Sequence, residues 1–374
     1  MKIGIQMLFQ NAGNMSDAEL YQQELRVAEL AEPLGFDTIW SVEHHFDGYS
    51  MCPDNTQFLS WLAGRTKKIG LGTAAVILPW NNPLRVVEKM ILMDHLSGGR
   101  AVFGMGRGLA RMEYRGFMMD MNEARGRFDE SAKMILSGLE TGVVEGKGPY
   151  YPQERIEVRP GPLKSFKDRT YCVAMSPDSV EVAAELGATM MIFSQFKAEA
   201  VKPTFDTYRR VFREHHGVDA PPPMVIDFMF CDRDAARAEA MARPHVIGYF
   251  ASVLTHYEML DEQFGKAKGY EAYATAREMM KAAGKEASAE TFLEAQAWGT
   301  PQQILDRLEH RREILGDFEM NLCVSYAGMR YEDIEPSVRL FTKEVLPEIR
   351  TWRMGETSDA ASSRSESFAE SAAK

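Results

Sequence analysis

Three short stretches of this chain carry residue types able to do chemistry. The first is Glu43-His44-His45, within FDTIWSVEHHFDGYS at 36–50. Imidazole titrates near neutrality, so a histidine there can serve as a base or a hydrogen-bond donor. Successive residues of an extended chain face opposite ways. His44 and His45 therefore cannot both look into one cavity, which argues against a two-histidine metal site, and no HExxH or similar ligand spacing occurs. No metal is expected. Taken alone, a histidine at a strand end is more often a packing residue than a catalytic one.

The second stretch is FGMGRGLA, residues 103–110. Its glycines invite a dinucleotide reading, but Leu109 stands where G-x-G-x-x-G needs its last glycine. Small residues around Arg107 let a flat ligand approach the backbone, while the guanidinium offers paired donors to a phosphate. A tight turn with a solvated arginine fits equally well. The third is SPDSVEVAAELG, residues 176–187. Ser176 can cap a helix, Pro177 suits its first position, and Ser179 adds a hydroxyl in the opening turn. Free amides and two hydroxyls make an anion site. Asp178 would repel a phosphate, so a plain N-cap competes, and an arginine from the preceding β/α unit would favour the phosphate.

These stretches need elements to position them. Near-continuous apolar runs at 2–9, 37–43, 68–77, 100–106, 170–175, 188–194, 224–231 and 319–326 suit strands covered on both faces, as in parallel sheets. Amphipathic helices are expected at 16–35, 82–99, 123–140, 178–186, 198–215, 233–260, 301–315 and 332–350. Ser16 with Glu19 opens the first of these, and Pro83 and Gly98–Gly99 bound the second. Eight strands alternating with helices predict an α/β fold, a closed (β/α)8 barrel spanning 1–350, with an open doubly wound sheet as the alternative. In such a barrel the active site gathers where strands end, which is where all three stretches fall. Residues 261–298 form a charged, Gly- and Ala-rich insertion before the eighth strand, which reads as a mobile lid or as a helical decoration. The Ser-rich 355–374 is expected to be disordered.

Composition narrows the function. The net charge is −11, and no run of Lys and Arg offers a nucleic-acid surface. No apolar stretch approaches a membrane span, the N-terminus lacks signal-peptide character, and four scattered cysteines without a CxxC pair suggest neither zinc nor disulfides. A cytoplasmic protein is expected, without nucleic-acid or membrane partners. The 24 methionines are mostly core filling, and some suit a pocket for an apolar ligand.

The stretches LGFDTIWSVEHHF (34–46), GRTKKIGLGTAAVILPWNNP (64–83), LSGGRAVFGMGRG (96–108) and SPDSVEVAAELG resemble the bacterial luciferase-like flavin-dependent monooxygenases. The likeness is strongest over about the first 195 residues. It implies a barrel that binds reduced FMN, which reacts with O2 to give a C4a-hydroperoxyflavin. His44 falls on the family's catalytic histidine, and Arg107 on the arginine that holds the FMN phosphate. Ser176 and Ser179 fall on its hydroxyl positions, and Ala74–Ala75 on a non-prolyl cis peptide beneath the flavin. Gly106 and Met175 complete the expected cofactor site. Glu43, His45, Ser194, Gln195 and Phe250 are expected around the substrate. Luciferases carry a reactive cysteine where this chain has Gly106, implying more open space there, and an aromatic where it has Ser194. Light emission is therefore not implied.

The implied activity is a two-component monooxygenase oxidising an apolar small molecule, an aldehyde or ketone. With no second nucleotide motif, a separate flavin reductase would supply reduced FMN. The family also implies a homodimer, or a heterodimer with a related chain, packed through early barrel helices, and it places a mobile active-site loop where 261–298 lies. An F420-dependent oxidoreductase and a non-catalytic flavin-binding relative are the alternatives.

Overall fold

In the computed structural model, which describes residues 1–352, the eight apolar runs become one ring of parallel strands in chain order. They are β1 Ile3–Met7, β2 Thr38–Ser41, β3 Gly70–Thr73, β4 Ala101–Gly106, β5 Thr170–Val173, β6 Thr189–Phe193, β7 Met224–Cys231 and β8 Glu319–Cys323. Each strand pairs with its successor, as Gly4 with Thr38 does. β8 pairs back to β1, with Met320 beside Ile3, so the ring of eight strands closes into a (β/α)8 barrel, while a short strand, Ala297–Gly299, pairs with the end of β7. Side chains buried on both faces explain the uninterrupted apolar runs.

Around the ring lie α1 Asp17–Ala31, α2 Asn55–Ala63, α3 Pro83–Ser97, α4 Arg111–Gly116, α5 Ala124–Thr141, α6 Pro177–Glu185 and α7 Ala198–His216. They continue with α8 Ala235–His256, α9 Glu271–Ala283, α10 Lys285–Ala295, α11 Pro301–Leu315 and α12 Tyr331–Glu344. Ser16 and Glu19 make the expected capping box on α1.

Several features depart from the sequence reading, among them α4, which carries Glu113. α2 follows β2 unannounced, held at its start by Asp54, whose carboxylate accepts from the Gln57 amide at 3.2 Å. An antiparallel hairpin, Val143–Gly146 with Gln153–Glu157, stands outside the barrel. The run at 68–77 does not stay one strand: it breaks at the cis Ala74–Ala75 peptide, and Val76–Ile77 then pairs with the end of β4. The helix expected to reach 260 stops at His256, where Tyr257 caps it and Glu258 turns into the left-handed region at φ 52°. The expected tail at 355–374 lies outside the described residues. Among the described residues no helix is long and apolar enough to cross a membrane.

One buried acid tests the packing between α1 and the strand ends. Glu24 is fully buried; Oε2 accepts from the Phe9 amide at 3.4 Å, and Oε1 has no partner among the described residues. Burial lifts its pKa from 4.5 to about 7, against the bonds from Ser325 and Phe9. Between those two pH values the native state keeps a proton that the unfolded chain has lost. Stability therefore falls as pH rises through this window, by roughly 3 kcal/mol. Glu24→Gln should flatten that slope, so that its melting temperature exceeds the wild type's at pH 8 and matches it near pH 4. Parallel pH–stability curves would refute the assignment.

Candidate active site

The carboxyl rim collects the expected residues from neighbouring strands. His44 follows β2, and its backbone amide donates to the Cys52 carbonyl at 3.2 Å. Its Nδ1 lies 2.9 Å from Glu113 Oε1, on α4, and the same oxygen accepts the His45 amide at 2.8 Å. Burial works to raise the Glu113 pKa, but the His44 and His256 imidazoles and the His45 amide outweigh it and hold the carboxyl below its usual range. An ionised Glu113 accepts only, so whenever His44 is neutral its proton sits on Nδ1 and Nε2 presents its lone pair. Nε2 lies 3.3 Å from the Tyr257 hydroxyl, whose pKa burial pushes far up. The rings of Tyr49, His256 and Tyr257 stand edge-on around His44 at 5.0, 5.0 and 6.0 Å. Sequence reasoning missed Glu113, His256 and Tyr257.

Glu43 and His45 face away from that pocket into the scaffold. The Glu43 carboxylate accepts from Trp80 Nε1 at 2.7 Å, Asn81 Nδ2 at 2.8 Å and the Ile77 amide at 3.2 Å, with His45 Nε2 at 3.3 Å. This cluster braces the chain just after the cis Ala74–Ala75 bond. His45 packs edge-on against Phe117 and Trp80.

Arg107 extends from β4 and Ser176 from β5, adjacent strands whose ends share the rim. The Tyr270 ring, from the 261–298 insertion, lies over the Arg107 guanidinium at 4.0 Å. Tyr270 also donates to the Gly108 carbonyl at 2.7 Å, and Tyr114 donates to the Arg107 carbonyl at 2.6 Å. Beneath this cover Arg107 Nη1 is buried and has no hydrogen-bond partner among the described residues. A buried donor of this kind is costly unless a ligand meets it. Arg107, after β4, and Arg125, on α5, both belong to the β/α unit before α6. Arg125 points to the start of α6. It reaches Asp178 at 3.4 Å, and Asp178 itself stands 69% exposed, turned out of the rim. Ser176 Oγ and Ser179 Oγ lie 3.0 Å apart, and Ser179 donates to the Ser176 carbonyl at 2.7 Å.

The room expected at Gly106 is absent. A Cβ there would meet Ala75 Cβ and Ile77 Cδ1 at 3.3 Å each, because the broken strand after β3 packs directly on β4. Met175 is half-buried, and its sulfur accepts the Phe193 amide at 3.3 Å. The Ser194 hydroxyl donates to the Ala295 carbonyl at 3.1 Å beside Arg311, which pairs with Asp227 at 2.8 Å. Ser194 thus ties β6 to α10. Gln195 is half-buried next to it, and Phe250 sits on the side of α8 that packs against Phe292 at 5.4 Å. Two open cavities flank the rim. One of about 430 Å³ borders Asp47, Tyr49 and His256, and one of about 420 Å³ borders Trp298 and Arg307. Arg107, over which the Tyr270 ring lies, lines neither of them.

The comparisons agree with the barrel fold. Residues 1–317 match the model of a family described as luciferase-like monooxygenase. The chain is 27% identical over 352 residues to an alkanal monooxygenase alpha chain from Photorhabdus luminescens, covering 93% of this chain and 96% of that one. Its fold is shared with the oxygenating constituent of 3,6-diketocamphane monooxygenase from Pseudomonas putida, solved with FMN. That structure has a TM-score of 0.71 and 18% identity, with 93% of this chain and 98% of that one covered. The fold is shared too with a coenzyme F420 dependent tetrahydromethanopterin reductase from Methanopyrus kandleri, at TM-score 0.65 and 20% identity, covering 93% and 99%. The protein is an enzyme that belongs to the luciferase-like monooxygenase family.

Proposed function

We propose that the enzyme is the oxygenating component of a two-component, FMN-dependent monooxygenase, acting on an apolar aldehyde or ketone with reduced FMN supplied by a separate reductase. The observation that carries this is the buried, unpartnered Arg107 Nη1 on the same rim as the His44–Glu113 pair. Arg107, Arg125, Ser176 and Ser179 would hold the FMN phosphate, with Ala74–Ala75, Gly106 and Met175 along the ring. Bound reduced FMN supplies the two electrons that activate O2.

The protein's own contribution is proton control and dryness. Glu113 fixes the His44 tautomer, so Nε2 is the atom that takes a proton from the reacting centre. Tyr49 and Tyr257 keep bulk water from that nitrogen. Glu43 and His45 would act on the substrate side only from behind, by bracing the Trp80 loop, and Ser194, Gln195 and Phe250 would bound the far side of the pocket. The 261–298 insertion, whose Tyr270 covers Arg107, would act as a lid over the phosphate.

The shared fold of an F420-dependent reductase supports a second reading, hydride transfer without O2. One experiment separates the two. Both cofactors are titrated, and substrate turnover is assayed with photoreduced FMN and O2. Tight FMN binding and product above the uncoupled peroxide background are expected. Tight F420 binding with negligible FMN binding would reverse the choice.

We also place pairing with a second chain, a like copy or a related one, on α2 and α3. Trp61, Leu92 and Leu96 stand 36%, 49% and 57% exposed there. Leu96→Asp should shift sedimentation from dimer to monomer; an unchanged profile would move the interface elsewhere.

A further inference from the structure

His44, Glu113 and His256 each offer one ligand atom, and those atoms lie within 4.8 Å of one another. We infer that they form a binding site for one divalent transition-metal ion of the zinc class. The first support is His256. Its side chain is 1% exposed, and its Nε2 has no hydrogen-bond partner among the described residues. That nitrogen faces Glu113 Oε1 at 3.8 Å. Its other nitrogen, Nδ1, lies 2.9 Å from Asp47 Oδ2. A proton on Nδ1 leaves Nε2 bare, so a lone pair meets a carboxylate oxygen, two acceptors facing with nothing between them. A carboxylate behind a ligand histidine is how zinc proteins fix tautomer and ring orientation.

The donor set sets the ion class. Two imidazoles and one carboxylate suit Zn2+, Co2+ or Ni2+, whereas Mg2+ and Ca2+ prefer all-oxygen shells. Glu113 Oε1 already lies 2.9 Å from His44 Nδ1 and 3.8 Å from His256 Nε2, near the spacing that bonds of about 2.0–2.1 Å to one centre require. On binding, the His44 proton moves from Nδ1 to Nε2, where the Tyr257 oxygen at 3.3 Å can accept it. Nδ1 is then free to ligate. No proton is lost and no redox change is involved. The negative charges of Glu113 and Asp47 balance the ion. Asp47 and His256 also border the open 430 Å³ cavity, which gives an entry path. The three ligands come from the end of β2, from α4 and from α8, so the site exists only in the folded barrel. Occupancy would remove His44 as a base and silence the reaction proposed above.

The test uses full-length, chelator-treated, flavin-free protein, so that it stands or falls apart from the monooxygenase reading. Co2+ is followed by its visible absorption and Zn2+ by calorimetric competition. One equivalent should bind. His256→Ala or Glu113→Gln should weaken it at least about 100-fold, and Asp47→Asn roughly 10-fold, the scale of losing an outer partner. X-ray absorption on the wild-type Zn2+ adduct needs no variant and should show two imidazoles. Binding insensitive to His256→Ala, binding abolished instead by changing the surface pair His215 and His216, or an adduct without imidazole scattering would each overturn the site.

Discussion

His44→Ala should lower turnover by roughly 10²-fold or more, the usual scale of acid–base assistance, while FMN affinity stays unchanged. The separation follows from geometry. His44 is held by Glu113 on one side and meets Tyr257 on the other, whereas Arg107 belongs to the next-but-one strand end under Tyr270. An interaction made only in the transition state lowers kcat and kcat/KM together. Stopped or steady-state assays with photoreduced FMN measure both. Unchanged turnover would remove His44 from the mechanism, and a loss confined to KM would make it a binding residue.

Arg107→Ala should weaken FMN binding about 10- to 100-fold, the worth of a lost charge-assisted hydrogen bond, and leave riboflavin within about twofold. The contrast depends on the phosphate, which riboflavin lacks. Arg107→Lys should fall between, because an ammonium keeps the charge but not the planar fork. The substitution also removes the surface beneath Tyr270, so thermal melting must accompany the titrations. Equal losses for FMN and riboflavin would contradict a phosphate role and point to Arg107 as a support for the insertion.

The sequence disclosed the barrel because parallel strands covered on both faces leave continuous apolar runs, and such runs at 2–9 or 224–231 coincide with β1 and β7. It hid α2, nine residues long, whose Asp54 cap precedes too short a pattern to show helical period. It hid the outer hairpin because QERIE is mostly exposed and carries no core face. Strand-end residues such as His44, Arg107 and Ser176 were legible because a barrel rim is a position that a strand pattern locates. Their partners were not. Glu113 stands 69 residues from His44 and Tyr257 stands 213 away, on elements whose approach is set by packing and not by spacing. His256 gave no signal, since a histidine near the end of a long amphipathic helix resembles any other. Arg125 was not singled out, because nothing in its spacing shows that it reaches Asp178. The space expected at Gly106 failed because a missing side chain shows nothing of what fills its place.

The most direct measurement is a crystal structure of the protein soaked with FMN. The phosphate should lie between Arg107 and the Ser176 hydroxyl, with the flavin ring along Ala74–Ala75 and His44 Nε2 turned towards it. A phosphate bound away from Arg107, or a ring that His44 cannot reach, would contradict the account at its root.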